Sequence, residues 1–129
     1  TTSAFDQPLT KSLSTERIID LQQLVRRMPV TDHMIRYAVD LVRRTRPEEN
    51  TKDSVVKEFL TWGAGPRASQ YLILGGKARA ALNGRYSVEK EDIIALAQPV
   101  LAHRLLTNFH AEASGVASSH IIAELLKNP

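Results

Sequence analysis

Four times between Ser14 and Leu105 the sequence repeats one arrangement: a capping residue or a proline, closely spaced apolar residues, and a breaker. Apolar residues three and four apart share one face of a helix, so the pattern calls for helices that each bury a stripe. Ser14 or Thr15 caps the first, which carries Ile18, Leu21, Leu24, Val25 and Met28 and is stopped by Pro29. Thr31 or Asp32 caps the second, which runs to about Thr45. Its stripe is Met34, Ile35, Ala38, Leu41 and Val42, with Tyr37 on the flank. Pro66 opens the third, which ends near Asn83 with Gly84 as its C-terminal cap. Ala68, Tyr71, Leu72, Gly75, Ala78 and Leu82 share its face.

The fourth helix spans about Lys90–Gln98 around Ile93, Ile94, Leu96 and Ala97; Pro99 interrupts it, and the pattern resumes to about Leu105. A fifth, capped by Ser118 or Ser119, carries Ile121, Ile122, Leu125 and Leu126. Between these elements, 46–58 reads as an exposed loop, and Val55, Val56, Phe59 and Leu60 as a short extended piece. Residues 107–117 read as a loop or short hairpin. The expectation is an all-α bundle of about five helices with a minor short β-ribbon, occupying 14–129 behind a polar leader or linker at 1–13. The start lacks an initiator methionine and a signal-peptide pattern, which suggests a piece of a longer protein.

Gly75 and Gly76 lie inside the third helix, where each costs about 1 kcal/mol against alanine. Close packing against another helix would offset that. Trp62 is expected in the core beneath the glycine turn that follows it, and His103 partly buried and bonded to backbone, beside an Arg104 that bonds a carboxylate or carbonyl.

Composition narrows the chemistry. There is no cysteine, which removes disulfides and thiolate metal sites and fits a reducing compartment such as the cytoplasm. Net charge is only +3, and Arg26, Arg27, Arg36, Arg43, Arg44 and Arg46 are interspersed with acids, so a solvated face is favoured over a nucleic-acid surface. No run of about 18 apolar residues exists to span a membrane. His33, His103, His110 and His120 are scattered without the spacing of a helical metal site, so no metal is assigned. No phosphate loop is present: "GGKARA" falls inside a helix and lacks the following Ser or Thr. The chain alone carries no catalytic constellation.

Arg67 stands out. It follows Pro66 at a helix start, where the dipole is positive and a cation costs a few tenths of a kcal/mol unless an anion or carboxylate is near. Free N–H groups there suit an anion. Local physics leaves two readings even: a phosphate, or an acidic neighbour within the fold.

Three segments bear on that choice. "GAGPRASQYLILGGKARAALNGR" resembles the "GASPRA…AKA…AL.GR" segment of MoxR-type AAA+ ATPases. "SVEKEDIIALAQPVLAHRL" resembles the helix that follows it in the family, and "VTDHMIRYAVDLVRRTR" the segment that opens the C-terminal lid. The likeness covers about residues 16–110. It departs at Gly75 and Gly76, usually alanines, and at Glu89, usually a Ser or Thr cap.

The resemblance implies an AAA+ lid whose nucleotide-binding core lies outside this chain. It makes Arg67 the second-sensor arginine, reaching the γ-phosphate of ATP, with Gly65 and Pro66 as the turn that presents it. Pro66 and Tyr37 would line the adenine side. The core would hold Mg and ATP. Partners would be that core, neighbouring subunits of a hexameric ring, and proteins with von Willebrand factor A domains, in chaperone-like remodelling. The alternatives are a helical nucleic-acid-binding module and a bare protein-interaction module in which Arg67 pairs with a local acid.

Overall fold

The computed structural model describes residues 10–49 and 52–127; most of the leader expected at 1–13 therefore lies outside the described residues. Helix α1 is Thr15–Arg27, capped by the Ser14 hydroxyl, which accepts from the Arg17 N–H at 3.2 Å. Helix α2 is Asp32–Arg44, capped by Thr31. Helix α3, Ser54–Phe59, runs directly into strand β1, Leu60–Trp62. Helix α4 is Pro66–Leu82 and helix α5 is Lys90–Leu101, which closes in a 3-10 turn, Ala102–Arg104. Strand β2, Leu106–Thr107, leads to helix α6, Phe109–Ala113, and helix α7, Ser118–Lys127.

The all-α expectation holds, and β1 and β2 form the minor antiparallel ribbon, pairing Leu60 with Thr107 and Trp62 with Leu106 around a bulge. The five expected helices are present, joined by two short ones. Val55, Val56 and Phe59 are helical rather than extended, and only Leu60 belongs to the strand. Within 107–117, Asn108 caps α6 by accepting from the Ala111 N–H at 2.9 Å. Helix α5 runs through Pro99, which is exposed and costs one backbone bond without breaking the element.

The core joins one face from each of α2, α3, α4, α5 and α7, with Leu72, Ile93, Leu101, Ile121, Ile122 and Leu125 fully enclosed. Of the stripe expected on α2, Ile35 is the exception and stays exposed. On α4 the buried residues are Ala68, Leu72, Gly76 and Ala80, so the true core face is rotated from the expected one; Tyr71 and Leu82 lie outside it. The two glycines do mark close helix packing. A Cβ on Gly76 would stand 3.1 Å from Val88 Cγ1 and 3.3 Å from Ile93 Cδ1, and one on Gly75 would meet Leu96 Cδ1 at 2.8 Å. Gly84 closes α4 in the left-handed region at φ +67°, and the Arg85 N–H behind it returns to the Ala80 carbonyl at 2.9 Å.

Two further burial expectations also fail. Trp62 is 68% exposed, at the end of β1 where the register with β2 shifts and it stands opposite Leu106. Helix α1 buries none of its stripe completely, packing only one side against α4.

Candidate functional site

The start of α4 is held by the end of α2. Thr45 is fully buried: its hydroxyl donates to the Val42 carbonyl at 2.6 Å and accepts from the Ala64 N–H at 2.8 Å. The Arg46 guanidinium binds the Ala64 carbonyl at 3.0 Å and Glu49 at 2.7 Å. Both backbone groups of Ala64 are therefore fixed, one by each of two adjacent residues. Gly63 lies so close that a Cβ there would fall 2.3 Å from the Thr45 carbonyl oxygen. The turn into Gly65, Pro66 and Arg67 is thus anchored to a buried threonine.

Gly65 is the N-cap, Pro66 the first helical residue and Arg67 the second. All three are exposed. No carboxylate among the described residues pairs with Arg67, so the local-acid alternative finds no partner there. Gly65 contributes no side chain to the first-turn N–H groups, although its φ is −81° and a Cβ would meet open space. A Ser or Asp would fit there and would normally be preferred as a cap.

Among the described residues Tyr37 makes no hydrogen bond or ring contact with Gly65, Pro66 or Arg67. It is half-buried on α2, and the Lys90 ammonium stands 5.0 Å from its ring centroid. Burial pushes its hydroxyl pKa up. Lys90 begins α5, whose first turn packs near Arg79.

The arginines read as a solvated face divide. Arg36 is exposed, but Arg44 makes two bonds to Asp53, both 2.9 Å, and Arg43 binds Glu49 at 3.0 Å. With Arg46 they tie Glu49 and Asp53 to the end of α2. His103 is exposed rather than partly buried; it contacts Arg104, which donates to the Val100 carbonyl and lies 5.2 Å from the Tyr71 ring centroid. Among the described residues no cluster of three or more His, Asp or Glu could hold a metal ion.

One charged centre escapes sequence reasoning. Asp92 has no exposed surface, yet its carboxylate accepts from Arg79 at 2.7 Å, from Arg85 at 2.7 and 2.5 Å, and from the Glu89 N–H at 2.9 Å. Arg85, against the cost of burial and with help from Glu89 and Arg79, holds its pKa well below the usual 3.8. In sequence it looks like any acid in a helix first turn. Removing one partner of a buried pair costs about 3–5 kcal/mol, but both guanidiniums here reach solvent. Asp92→Ala is therefore expected to cost about 2 kcal/mol by denaturant unfolding at pH 7. Because the folded pKa is depressed, Asp92 contributes fully above about pH 5, and the contribution begins to fade near the ordinary 3.8 and is lost as pH falls on through the depressed folded value. The gap between the unaltered chain and Asp92→Ala should narrow in that acidic window and stay constant above it.

Comparison with known proteins places this geometry. Residues 52–125 match the AAA lid domain family. The chain is 31% identical over 115 residues to chaperone MoxR1 of Mycobacterium tuberculosis, covering 89% of this chain and 30% of that protein. It is 28% identical over 120 residues to the uncharacterized protein YeaC of Bacillus subtilis, covering 93% of this chain and 35% of that one. A crystal structure of a candidate ATPase from Cytophaga hutchinsonii superposes with a TM-score of 0.84 at 27% identity, over 88% of this chain and 34% of that one. The chain thus spans about a third of the length of the proteins it matches.

Proposed function

The chain belongs to the AAA lid domain family, as a lid of the MoxR-like AAA+ type, and from that premise we propose that Arg67 is its sensor of the ATP γ-phosphate. The observation that carries the reading is an arginine, exposed and without an ion-pair partner among the described residues, on an anchored helix start. A planar guanidinium presents several fixed donors, which suits phosphate oxygens. Gly65 supplies no side-chain cap, so among the described residues no side chain competes with an anion at the start of α4, where the Ala68 N–H turns back to the Gly65 carbonyl at 3.0 Å.

In this reading ATP and Mg are held by an AAA+ core domain, and Arg67 with Gly65 and Pro66 closes over the phosphates. Loss of the γ-phosphate removes partners of Arg67 and releases the lid, which couples hydrolysis to movement. The expected setting is a hexameric ring in the cytoplasm, remodelling client proteins together with von Willebrand factor A domain partners. The adenine role for Tyr37 has weaker support, since Lys90 already covers its ring.

ATP turnover tests the reading, measured on the lid joined to the AAA+ core it serves. Arg67→Ala should slow turnover by about 10- to 100-fold, the loss of one charge-assisted contact. Undiminished turnover would remove the sensor role. Gly65→Asp separates stability from function. It should leave the fold unchanged or a few tenths of a kcal/mol more stable, because Asp is a good cap. It should also lower turnover, because a carboxylate then occupies the place reserved for phosphate.

A further inference from the structure

Helix α1, the outer half of α4 and the end of α5 enclose an apolar groove of about 820 Å³. Leu21 on α1 and Tyr71 and Leu74 on α4 line it while remaining 39%, 44% and 43% exposed. This is where the amphipathic stripe of α1 fails to find a full partner. The groove's charged lining is all of one kind: Arg26 and Arg104, with His103 beside them. On the other side of Arg26 and Leu74, a second apolar groove of about 400 Å³ adds Lys77. No Asp or Glu among the described residues lines either groove. The acids of α1, Glu16 and Asp20, are outside both linings.

We propose that the larger groove is a docking site for an amphipathic helix of another protein, one whose apolar stripe is flanked by carboxylates. Apolar walls formed by helices accept an i, i+3/i+4, i+7 stripe. The cationic rim selects the flanks, since acidic residues complement it and basic ones are repelled. A second copy of this chain suits the groove poorly. Its amphipathic helices α1 and α2 both end in arginine pairs, Arg26–Arg27 and Arg43–Arg44, which would meet the same rim. The proposal is independent of the nucleotide reading and needs no nucleotide for its test.

Two labelled helical peptides test it, sharing one leucine stripe and differing only in flanks of Glu or Lys. They are titrated against the 129-residue chain by fluorescence anisotropy at low salt. The Glu peptide should bind about tenfold tighter or more, and the preference should shrink as salt rises. The double variant Arg26→Glu/Arg104→Glu should reverse the order. Leu74→Asp should weaken the Glu peptide about tenfold. Should either variant fail to fold, amide exchange on the unaltered chain still decides: the bound Glu peptide should slow exchange in α1 and α4. Equal binding of the two peptides, no binding of the Glu peptide, or protection elsewhere would overturn the proposal. Self-association of the chain that protects α1 and α4 would give the groove to a second copy and overturn it as well.

Discussion

Gly63→Ala is expected to lower the unfolding free energy by about 3 kcal/mol, although it adds only a methyl group. Three backbone atoms stand in its way: the added Cβ would lie 2.3 Å from Thr45 O, 2.6 Å from Thr45 C and 2.7 Å from Arg46 Cα. A flexible side chain could swing aside, but the end of α2 cannot. The Thr45 and Arg46 N–H groups are bonded to the Val42 and Arg43 carbonyls, and the Thr45 hydroxyl is tied to Val42 and Ala64. Relief therefore requires the turn to move away. That would stretch the Ala64 bonds to Thr45 and Arg46 and leave a buried N–H unpaired, at about 1–3 kcal/mol. The drop in thermal midpoint should be about 10 °C for a chain of this size. Gly65→Ser, two residues further on, should change stability by no more than a few tenths of a kcal/mol, because a Cβ there meets open space. Urea unfolding of both variants measures the contrast. Equal stability of the two would mean that the turn is not anchored as described.

The contrast bears on function because Gly63 sets the position of Arg67. In any variant that loosens the turn, Arg67 keeps its chemistry and loses its aim. Nucleotide-dependent steps should then suffer more than the isolated stability loss accounts for.

How much of this was legible in the sequence depends on where the information resides. Helices α1, α2 and α4 were readable almost to the residue, because Ser14, Thr31, Pro66 and Gly84 act locally at helix ends. Helix α3 was not: its six residues are too short for a period, and Val55, Val56 and Phe59 favour extended structure on propensity. The Arg44–Asp53 pair and the Arg79–Arg85–Asp92 centre join residues 7 to 13 positions apart across a turn or between helices. No periodic pattern encodes such pairs. Trp62 was misplaced because size alone argued for burial, whereas it ends a three-residue strand whose register with β2 is irregular and whose last two residues are exposed. Of the site, Gly65, Pro66 and Arg67 were visible as a turn leading into a helix. The anchor beneath them, Thr45 and Arg46, was hidden in a different element. Tyr37 was assigned to the nucleotide by resemblance, and only the packing of α5 reveals that Lys90 lies over its ring.

Arg67→Ala carries the second large expectation. The lid contributes one exposed guanidinium at this position, and a charge-assisted hydrogen bond is worth about 1.5–3 kcal/mol. That corresponds to roughly 10- to 100-fold in affinity. The effect should be confined to nucleotides that carry a γ-phosphate, because Arg67 is proposed to touch that group alone. It should leave stability nearly untouched, since the side chain is exposed and unpaired within the described fold. Arg67→Lys should recover only part of the loss, because an ammonium keeps the charge without the planar fork.

The most direct measurement is therefore a pair of affinities rather than a rate. ATP and ADP are titrated, under conditions that block hydrolysis, against the lid joined to its AAA+ core, with and without Arg67→Ala. The account predicts that the substitution weakens ATP by about 10- to 100-fold and leaves ADP unchanged, so that the preference for ATP shrinks. Equal weakening of both nucleotides, or no weakening of either, would contradict it.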